Sequence, residues 1–391
     1  MNRAIVHTLV YPGILCASLV MLSPAAGAEY SWQLAGSYRQ DDAPRVVESG
    51  HSSLGATYYL SPVDDEAGPY ELAPFLNRSS YVTGDVARSK LREELFPAIV
   101  SVDPSTGGML PPDVFDLFGD TGNPRLADFP MEFGIDASEY AVSGRYVWPG
   151  SGWYAGAGAE RGTIDHVPQV FTEIEAQQEG SKLFAGKYFG SRTAVELGFR
   201  STTRRETIQT HLTFSLGIPF DPVQIDTQAD AEDDTKDISL SVRHVGEAGG
   251  LTWTVQASVR SSRIETRVFF ADPVIVGFPE ELGTPGDRIF FTSNPEFSPN
   301  EIDQSVESAG ERNYTLSGAL FPTDALGVRL IYSHLDRDRL GASDLIGLSA
   351  TWFFVRNAAA KIELLRTDFD RGFGPGSPDR DSVRVWLLGR F

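Results

Sequence analysis

Apolar and polar side chains alternate along most of the chain after residue 29. In residues 30–39, aromatic, aliphatic or glycine residues take the even positions, and small or polar residues take the odd ones. A period of two is typical of a β-strand with one apolar and one polar face. No helical period of 3.6 persists long enough to build a helical domain, so the pattern predicts an all-β protein. Further stretches with the same alternation begin at residues 54, 142, 195, 238, 251, 314, 328, 346, 362 and 383.

The connections between these stretches differ in length. Tight turns are predicted at residues 149–152, 190–192, 247–250, 322–324 and 356–357, and long polar segments at residues 89–131, 166–179, 202–237, 271–310, 336–343 and 370–380. Short turns at one end and long loops at the other are typical of an outer-membrane barrel, with periplasmic turns and extracellular loops. A soluble β-sandwich has no reason to sort its loops by length.

Counting strands back from Phe391 predicts the fold class. The turns and loops give a transmembrane antiparallel up-and-down β-barrel of fourteen strands, with both termini at the turn end. A weak alternation in residues 206–216 could add a hairpin, which would make sixteen strands.

The first residues have the pattern of a secretory signal peptide. A basic residue precedes an apolar stretch from Ala4 to Leu22, and the small residues Ala26-Gly27-Ala28 form a cleavage pattern. An N-terminal membrane anchor is the alternative, but a Pro-Gly pair interrupts the apolar run. Cleavage would also remove Cys16, the one cysteine, so disulfides cannot hold the mature chain together. The predicted organisation is a signal peptide over residues 1–28 and a single barrel domain over residues 29–391.

Charge and hydropathy exclude several classes of protein. The 391 residues include 33 basic and 53 acidic side chains, which gives a formal net charge of −20. Nucleic-acid binding needs a clustered cationic excess, so no nucleic-acid partner is expected. No stretch after residue 30 offers the roughly 18 successive apolar residues of a membrane-spanning helix. Half-apolar strands in a membrane barrel remain compatible with this composition.

The last ten residues, 382–391, alternate apolar with polar or bulky side chains and end on Phe391. Here the chain resembles Gram-negative outer-membrane β-barrel proteins, whose final strand commonly ends this way. The resemblance implies that Phe391 is an assembly signal read by the barrel-assembly machinery. It also implies a location in the outer membrane, among membrane lipid and lipopolysaccharide.

A second resemblance covers the beginning of the mature chain. Residues 54–63 read LGATYYLSPV and residues 68–82 read GPYELAPFLNRSSYV. Together they resemble the opening hairpin of a loosely characterised porin family. The resemblance implies a diffusion pore and names no solute.

Catalytic chemistry has little support in the sequence. There is no Gly-x-Ser-x-Gly nucleophile elbow and no His-Glu-x-x-His zinc motif. His51 and Ser52 are neighbours on a strand and so point to opposite faces, which is wrong for a nucleophile and its base. The acidic run at residues 230–234 lacks the alternating ligands and the glycine of an EF-hand loop. We therefore expect no enzymatic activity, no cofactor and no metal site.

The polar faces of the predicted strands carry charged residues. Arginine on the lipid face at mid-membrane costs roughly 2–4 kcal/mol, so we take the aromatic-rich face of each strand as lipid-facing. The alternative is a set of internal salt bridges that fills the barrel, but fourteen strands enclose more space than side chains fill. The predicted pore-lining residues are Arg39, Arg145, Glu160, Glu196, Arg200, Arg243, Arg260, Arg329, Lys361, Glu363 and Arg384.

Residues 89–131 are the best candidate for a loop that enters the lumen. They include Phe115, Phe118 and Met109 among the constriction candidates, which are Asp113, Asp116 and Asp120. This mixture is too apolar for a freely solvated loop. Packing as an external lid would explain it equally well.

The combined pattern predicts a passive, water-filled diffusion channel for small hydrophilic solutes and ions. Its selectivity would depend on pore width and electric field. The alternative is a structural or adhesive outer-membrane barrel with a closed lumen and partner-binding loops. An envelope lipase or protease is a third hypothesis. The missing nucleophile elbow and zinc motif disfavour it.

Overall fold

The structure, a computed structural model, is a closed antiparallel β-barrel. It describes residues 29–42, 46–66, 68–95, 131–169, 172–214, 223–270, 274–276, 304–338, 341–369 and 380–391. The signal peptide predicted for residues 1–28 lies outside these ranges. In the part of the chain that is described, no helix is long and apolar enough to cross a membrane.

Fourteen long strands form the barrel wall, and β1 pairs with β15 to close it. The first eight are β1 (Glu29–Asp42), β2 (Val46–Asp64), β3 (Tyr81–Leu95), β4 (Met131–Val147), β5 (Trp153–Gln169), β6 (Thr172–Phe189), β7 (Thr193–Phe214) and β8 (Val223–Ala248). The other six are β9 (Leu251–Phe270), β11 (Gln304–Thr323), β12 (Leu326–Arg337), β13 (Gly341–Val355), β14 (Ala358–Phe369) and β15 (Arg380–Arg390). A three-residue strand, β10 (Val274–Val276), pairs with β8 and is not one of the fourteen.

The predicted tight turns all lie at one end of the barrel, which we call the turn end. Both ends of the described chain, Glu29 and Phe391, lie there too. Gly150, Gly190 and Gly249 occupy three of these turns with φ of 75°, 63° and 59°. Residues with a side chain rarely adopt such values, so glycine lets the chain reverse tightly here. We call the opposite end the loop end.

The prediction of fourteen strands is confirmed, and the sixteen-strand alternative is wrong. Most of residues 206–216 belong to β7, and the segment 202–237 is not one loop, because β7 and β8 run through it. Cross-strand charge pairs stabilise these polar strand ends. Glu232 accepts a hydrogen bond from Arg205 Nε at 3.0 Å on one side and lies 3.7 Å from Arg267 Nη1 on the other. The cross-strand pairs between polar side chains therefore stabilise strand structure in residues 202–214 and 223–237, although the composition of these residues indicates a loop.

The outer face of the barrel is an apolar band. An exposed apolar surface of this extent is typical of lipid contact rather than of a water-soluble monomer. Aromatic rings are concentrated on it near the turn end, as in the interfacial belts of membrane barrels. Exposed members of the band include Trp32, Leu54, Tyr140, Trp148, Trp153, Leu183, Phe189, Leu197, Ile238, Leu316, Leu330, Trp352 and Val383.

Tyr30 departs from the predicted lipid-facing pattern. A register shift between Tyr30 and Trp32, typical of a β-bulge, turns Tyr30 inward, so it is 4% exposed while Trp32 is 48% exposed. Inside the barrel, the ring of Tyr30 packs edge to face on Tyr59, with ring centres 5.6 Å apart. The simple alternation fails at this end of β1 because the interior is apolar there as well.

Candidate channel lumen and its plug

A short helical segment crosses the interior of the barrel at the turn end. It connects β2 to β3 over residues 65–80 and contains a 3-10 turn, Tyr70–Leu72, followed by one turn of α-helix, α1 (Ala73–Leu76). Pro74 stands in the first turn of α1, where its missing N–H leaves no hydrogen bond unmade. Asn77 ends the helix and donates its backbone N–H to the Ala73 carbonyl at 2.9 Å. We call the described residues of this connection, 65–66 and 68–80, the plug.

Apolar side chains of the plug pack against inward-facing residues of the wall. Leu72 is fully buried and Phe75 is 8% exposed. The rings of Phe75 and Tyr188 have centres 5.5 Å apart. Strands β8 and β11 contribute to this cluster and lie on the opposite side of the barrel from β2 and β3. The plug therefore spans the turn end of the lumen. The wall residues of the cluster are Tyr154, Tyr188, Ala194, Val245, Ala319 and Phe321.

Two of the predicted pore-lining arginines contact the plug through a backbone carbonyl and an aromatic ring. Arg145 donates from Nη2 to the Ser79 carbonyl at 2.8 Å. The guanidinium of Arg243 lies 4.5 Å from the ring centre of Phe75, within the range of a cation–π interaction. Arg145 thus joins the plug to β4, and Arg243 joins it to β8.

Glu71 provides the charged contact between the plug and β12. It forms an ion pair with Arg329, whose side chain is 24% exposed against 26% for Glu71. A Cβ atom at position 327 would lie 3.1 Å from Glu71 Oε2 and 2.7 Å from Phe321 Cε1. Gly327 therefore allows the close approach of β12 to the plug. The pair is partly solvated, which limits its strength.

Other predicted pore-lining residues form ion pairs along the wall. Arg200 donates from Nε to Glu160 Oε1 at 3.0 Å, which joins β7 to β5 across β6. Glu363 lies 3.3 Å from Lys361 Nζ and 3.9 Å from Arg384 Nη1. These five residues of the inner wall thus carry their charges in compensating groups.

The remaining predicted residues are also on the inner face. Arg39 pairs with Asp41 at 2.7 Å. Glu196 is hydrogen-bonded to Tyr154. Arg260 shares its side of β9 with the buried Thr254, whereas Val255 and Val259 are exposed on the other side. The structure therefore places all eleven charged residues opposite the apolar band.

The constriction candidates Asp113, Asp116 and Asp120 lie outside the described residues. The luminal element that the structure does describe is the plug, which the sequence suggested was part of an ordinary hairpin. Strands β2 and β3 form that hairpin, but their connection turns into the barrel.

A sequence signal for the plug exists in retrospect. Five strands carry two adjacent apolar residues near the turn end, where strict alternation would allow one. In each pair one side chain is exposed on the outer face and the other is buried inside. Apolar residues on both faces of a strand indicate packing on both faces. Here they indicate that apolar side chains fill the interior of the barrel near its turn end. The pairs are Tyr58-Tyr59, Trp153-Tyr154, Tyr188-Phe189, Leu320-Phe321 and Phe353-Phe354.

Asp65 places a carboxylate in a buried position at the start of the plug. Its side chain is 2% exposed, and Oδ2 lies 3.7 Å from Arg356 Nε. Burial raises the pKa of Asp65 above its ordinary value, although Arg356 and Arg390 act in the opposite direction. The folded state therefore binds the proton of Asp65 more tightly than the unfolded state does. Protonated Asp65 stabilises the fold below the ordinary pKa of about 4, and this contribution is lost as the pH rises through the raised pKa of the folded state.

We therefore expect Asp65→Asn to raise the unfolding temperature of the barrel near neutral pH and to leave it unchanged well below the ordinary carboxyl pKa. The shift in gel mobility on heating measures the unfolding midpoint. Glu66→Gln is the matched control, because Glu66 is exposed and also contacts Arg356, at 3.5 Å. An Asp65→Asn protein less stable than the wild type at neutral pH would mean that the ion pair with Arg356 outweighs the burial.

Solved membrane barrels share this architecture. A deletion mutant of the P. putida monoaromatic hydrocarbon channel TodX aligns with a TM-score of 0.54 and 10% identity, over 95% of this chain and 94% of that chain. The fold is that of an outer-membrane β-barrel. Omp33 of Acinetobacter baumannii aligns with a TM-score of 0.45 and 13% identity, over 94% of this chain and 100% of that chain.

The translocator domain of the autotransporter NalP from Neisseria meningitidis aligns with a TM-score of 0.41 and 9% identity, over 98% of this chain and 96% of that chain. The alignment with TodX shows a shared fold, and its identity of 10% carries no information about solutes. No protein family and no curated protein matches the chain by sequence.

Proposed function

We propose that this protein is an outer-membrane channel through which small hydrophilic solutes and ions cross by passive diffusion. In this proposal the turn end faces the periplasm and the loop end faces the cell exterior. Membrane lipid and lipopolysaccharide contact the apolar band, and the barrel-assembly machinery inserts the chain. No catalytic step and no cofactor is part of the proposal.

The observation that carries this proposal is the charged inner wall of a fourteen-strand barrel. A ring of this size is too wide for its own side chains to fill. Charged groups that face the interior need water or ion partners, because burying them unpaired is costly. A hydrated lumen between the plug and the loop end meets both conditions.

The plug blocks the proposed channel at the turn end. Its apolar residues close that end, and a small number of polar contacts, such as the Glu71–Arg329 pair, hold it in place. Solute passage therefore requires the plug to shift within the barrel. Charged side chains at the constriction would then determine which solutes pass.

A closed structural or adhesive barrel is the second candidate, and the buried plug is the observation that favours it. Recording in planar bilayers distinguishes the two. A channel gives stepwise, steady conductance, and proteoliposomes swell faster with small sugars and amino acids than with large ones. A closed barrel gives neither, and that result with correctly folded protein would contradict the channel proposal.

Weakening the Glu71–Arg329 pair should favour the open state. Glu71→Gln removes one charge of a partly solvated ion pair worth at most about 1 kcal/mol, so the ratio of open to closed time should rise up to about fivefold. The measurement is the open probability in single-channel records. Glu160→Gln is the matched control, because its partner Arg200 belongs to the wall and does not hold the plug. Equal open probabilities in the two variants would show that the Glu71–Arg329 pair does not hold the plug in its closed position.

A further inference from the structure

A cavity lies inside the barrel between the plug and strands β1, β2, β13, β14 and β15. Its volume is about 240 Å³. Two cations, one acid and several rings line it: Tyr59, Glu71, Phe353, Lys361, Trp386 and Arg390. The acid is Glu71, which is already paired with Arg329. The cavity therefore has an excess of positive charge.

Arg390 is the most deeply buried charge in this lining. Its side chain is 2% exposed and is held between two rings, 4.6 Å from the ring centre of Tyr30 and 4.7 Å from that of Phe353. Among the described residues, Nε and Nη1 of Arg390 have no hydrogen-bond partner. A guanidinium in such surroundings is stabilised by an anion, and a carboxylate matches its donor geometry.

Lys361 supplies the second positive charge. Its ammonium group lies 3.3 Å from Glu363 Oε1, so it is partly compensated, and 5.5 Å from the ring centre of Trp386. The indole N–H of Trp386 is also buried with no partner among the described residues. The side chains of Lys361, Trp386 and Arg390 therefore line the same cavity.

Apart from Gln33 and Thr351, the remaining lining is apolar and aromatic. The size of the cavity limits what it can hold. A cavity of about 150 Å³ accommodates benzene. The larger cavity here has room for a single ring with one small polar substituent. Tyr59, Phe353 and Trp386 offer ring faces for such a body to pack on.

We propose that this cavity is a binding site for small aromatic carboxylates, with the carboxylate at Arg390 and the ring against Trp386 and Phe353, while Lys361 supplies the second positive charge of the lining. The proposal rests on the channel function above and names a class of solute for it. A carboxylate would compensate the positive charge that the single acid of the lining leaves over, and an aromatic ring would fit the apolar part of the cavity.

Titration calorimetry of the refolded, detergent-solubilised full-length barrel tests this directly, with benzoate as the probe. Benzamide keeps the ring and loses the charge, and acetate keeps the charge and loses the ring. Benzoate should bind saturably at one site, and each of the other two should bind about tenfold more weakly or worse. Equal binding of benzoate and benzamide, or no saturable binding of benzoate, would overturn the proposal.

Substitutions locate the site. Arg390→Gln and Lys361→Gln should each weaken benzoate binding by about tenfold, because each removes a charged donor. Arg260→Gln is the matched control, since Arg260 is an inner-wall arginine on β9 that does not line the cavity. Unchanged benzoate affinity in folded Lys361→Gln protein would overturn the assignment even if Arg390→Gln failed to fold.

The two proposals fail in different ways. Binding in detergent does not require conduction, and conduction in a bilayer does not require benzoate. Steady conductance without benzoate binding would remove only the carboxylate site. Benzoate binding without conductance would leave the site in place and remove the channel.

Discussion

Replacing residues 66–79 by a short Gly-Ser linker should raise the single-channel conductance several-fold and abolish closures. The plug fills the turn end with an apolar cluster that includes Leu72 and Phe75. Without it, the remaining wall of fourteen strands encloses a space that side chains cannot fill. Every strand and every strand pair remains in this variant, because the plug lies between β2 and β3. Barrel closure should therefore survive.

Planar-bilayer recording measures the conductance, and heat-modifiable gel mobility verifies that the variant is folded. Arg192→Ser is a suitable control, because Arg192 lies in another turn at the same end and pairs with Glu247 without contacting the plug. Swelling of proteoliposomes should also extend to larger sugars in the plug variant. An unchanged conductance in a folded variant would place the main barrier elsewhere in the lumen.

Removing Phe391 should lower the yield of folded barrel in the outer membrane several-fold. The Phe391 carbonyl accepts hydrogen bonds from the Ser31 and Trp32 amides at 2.8 and 2.9 Å, and its own N–H donates to the Trp32 carbonyl at 2.9 Å. These bonds lie at the seam between the first and last strands. Deletion removes three backbone hydrogen bonds, each worth about 0.5–1.5 kcal/mol, together with the terminal ring.

Two variants separate the role of the ring from that of the seam. Phe391→Asp keeps the backbone bonds and loses the aromatic side chain, whereas Phe391→Tyr keeps both. If the ring is an assembly signal, Phe391→Asp should assemble poorly in cells yet refold normally in detergent, and Phe391→Tyr should match the wild type. Normal assembly of Phe391→Asp with a defect only in the deletion would instead assign the effect to the hydrogen bonds.

Much of the wall could be predicted because its determinants are local in sequence. Alternation with a period of two fixes which side of a strand is apolar, and glycine or short polar runs fix where the chain reverses. The turns at Gly150, Gly190 and Gly249 and the outward face of β9 follow from such runs. The polar composition of the ends of β7 and β8 predicted a loop. That prediction is wrong because cross-strand pairs such as Arg205–Glu232 stabilise the strands there, and such pairs join residues that a local pattern does not connect.

The candidate site was predictable only in part. The sequence indicated which charged residues face the interior, since the alternation of apolar and polar residues within each strand decides the face on which a side chain lies. It did not indicate which of them meet. Glu71 and Arg329 are 258 residues apart, and Arg145 and Ser79 are 66 apart.

The sequence by itself therefore determined an antiparallel barrel of fourteen or sixteen strands with an apolar exterior and a charged interior, because the face of each side chain is decided within one strand and each reversal within one turn. Only the tertiary structure decided that the connection between β2 and β3 enters the lumen, that Tyr30 turns inward, and that Arg390 borders a cavity. Barrel closure brings residues from opposite ends of the chain together. An apolar run such as residues 69–76 reads as a short loop until the wall that buries it has been formed.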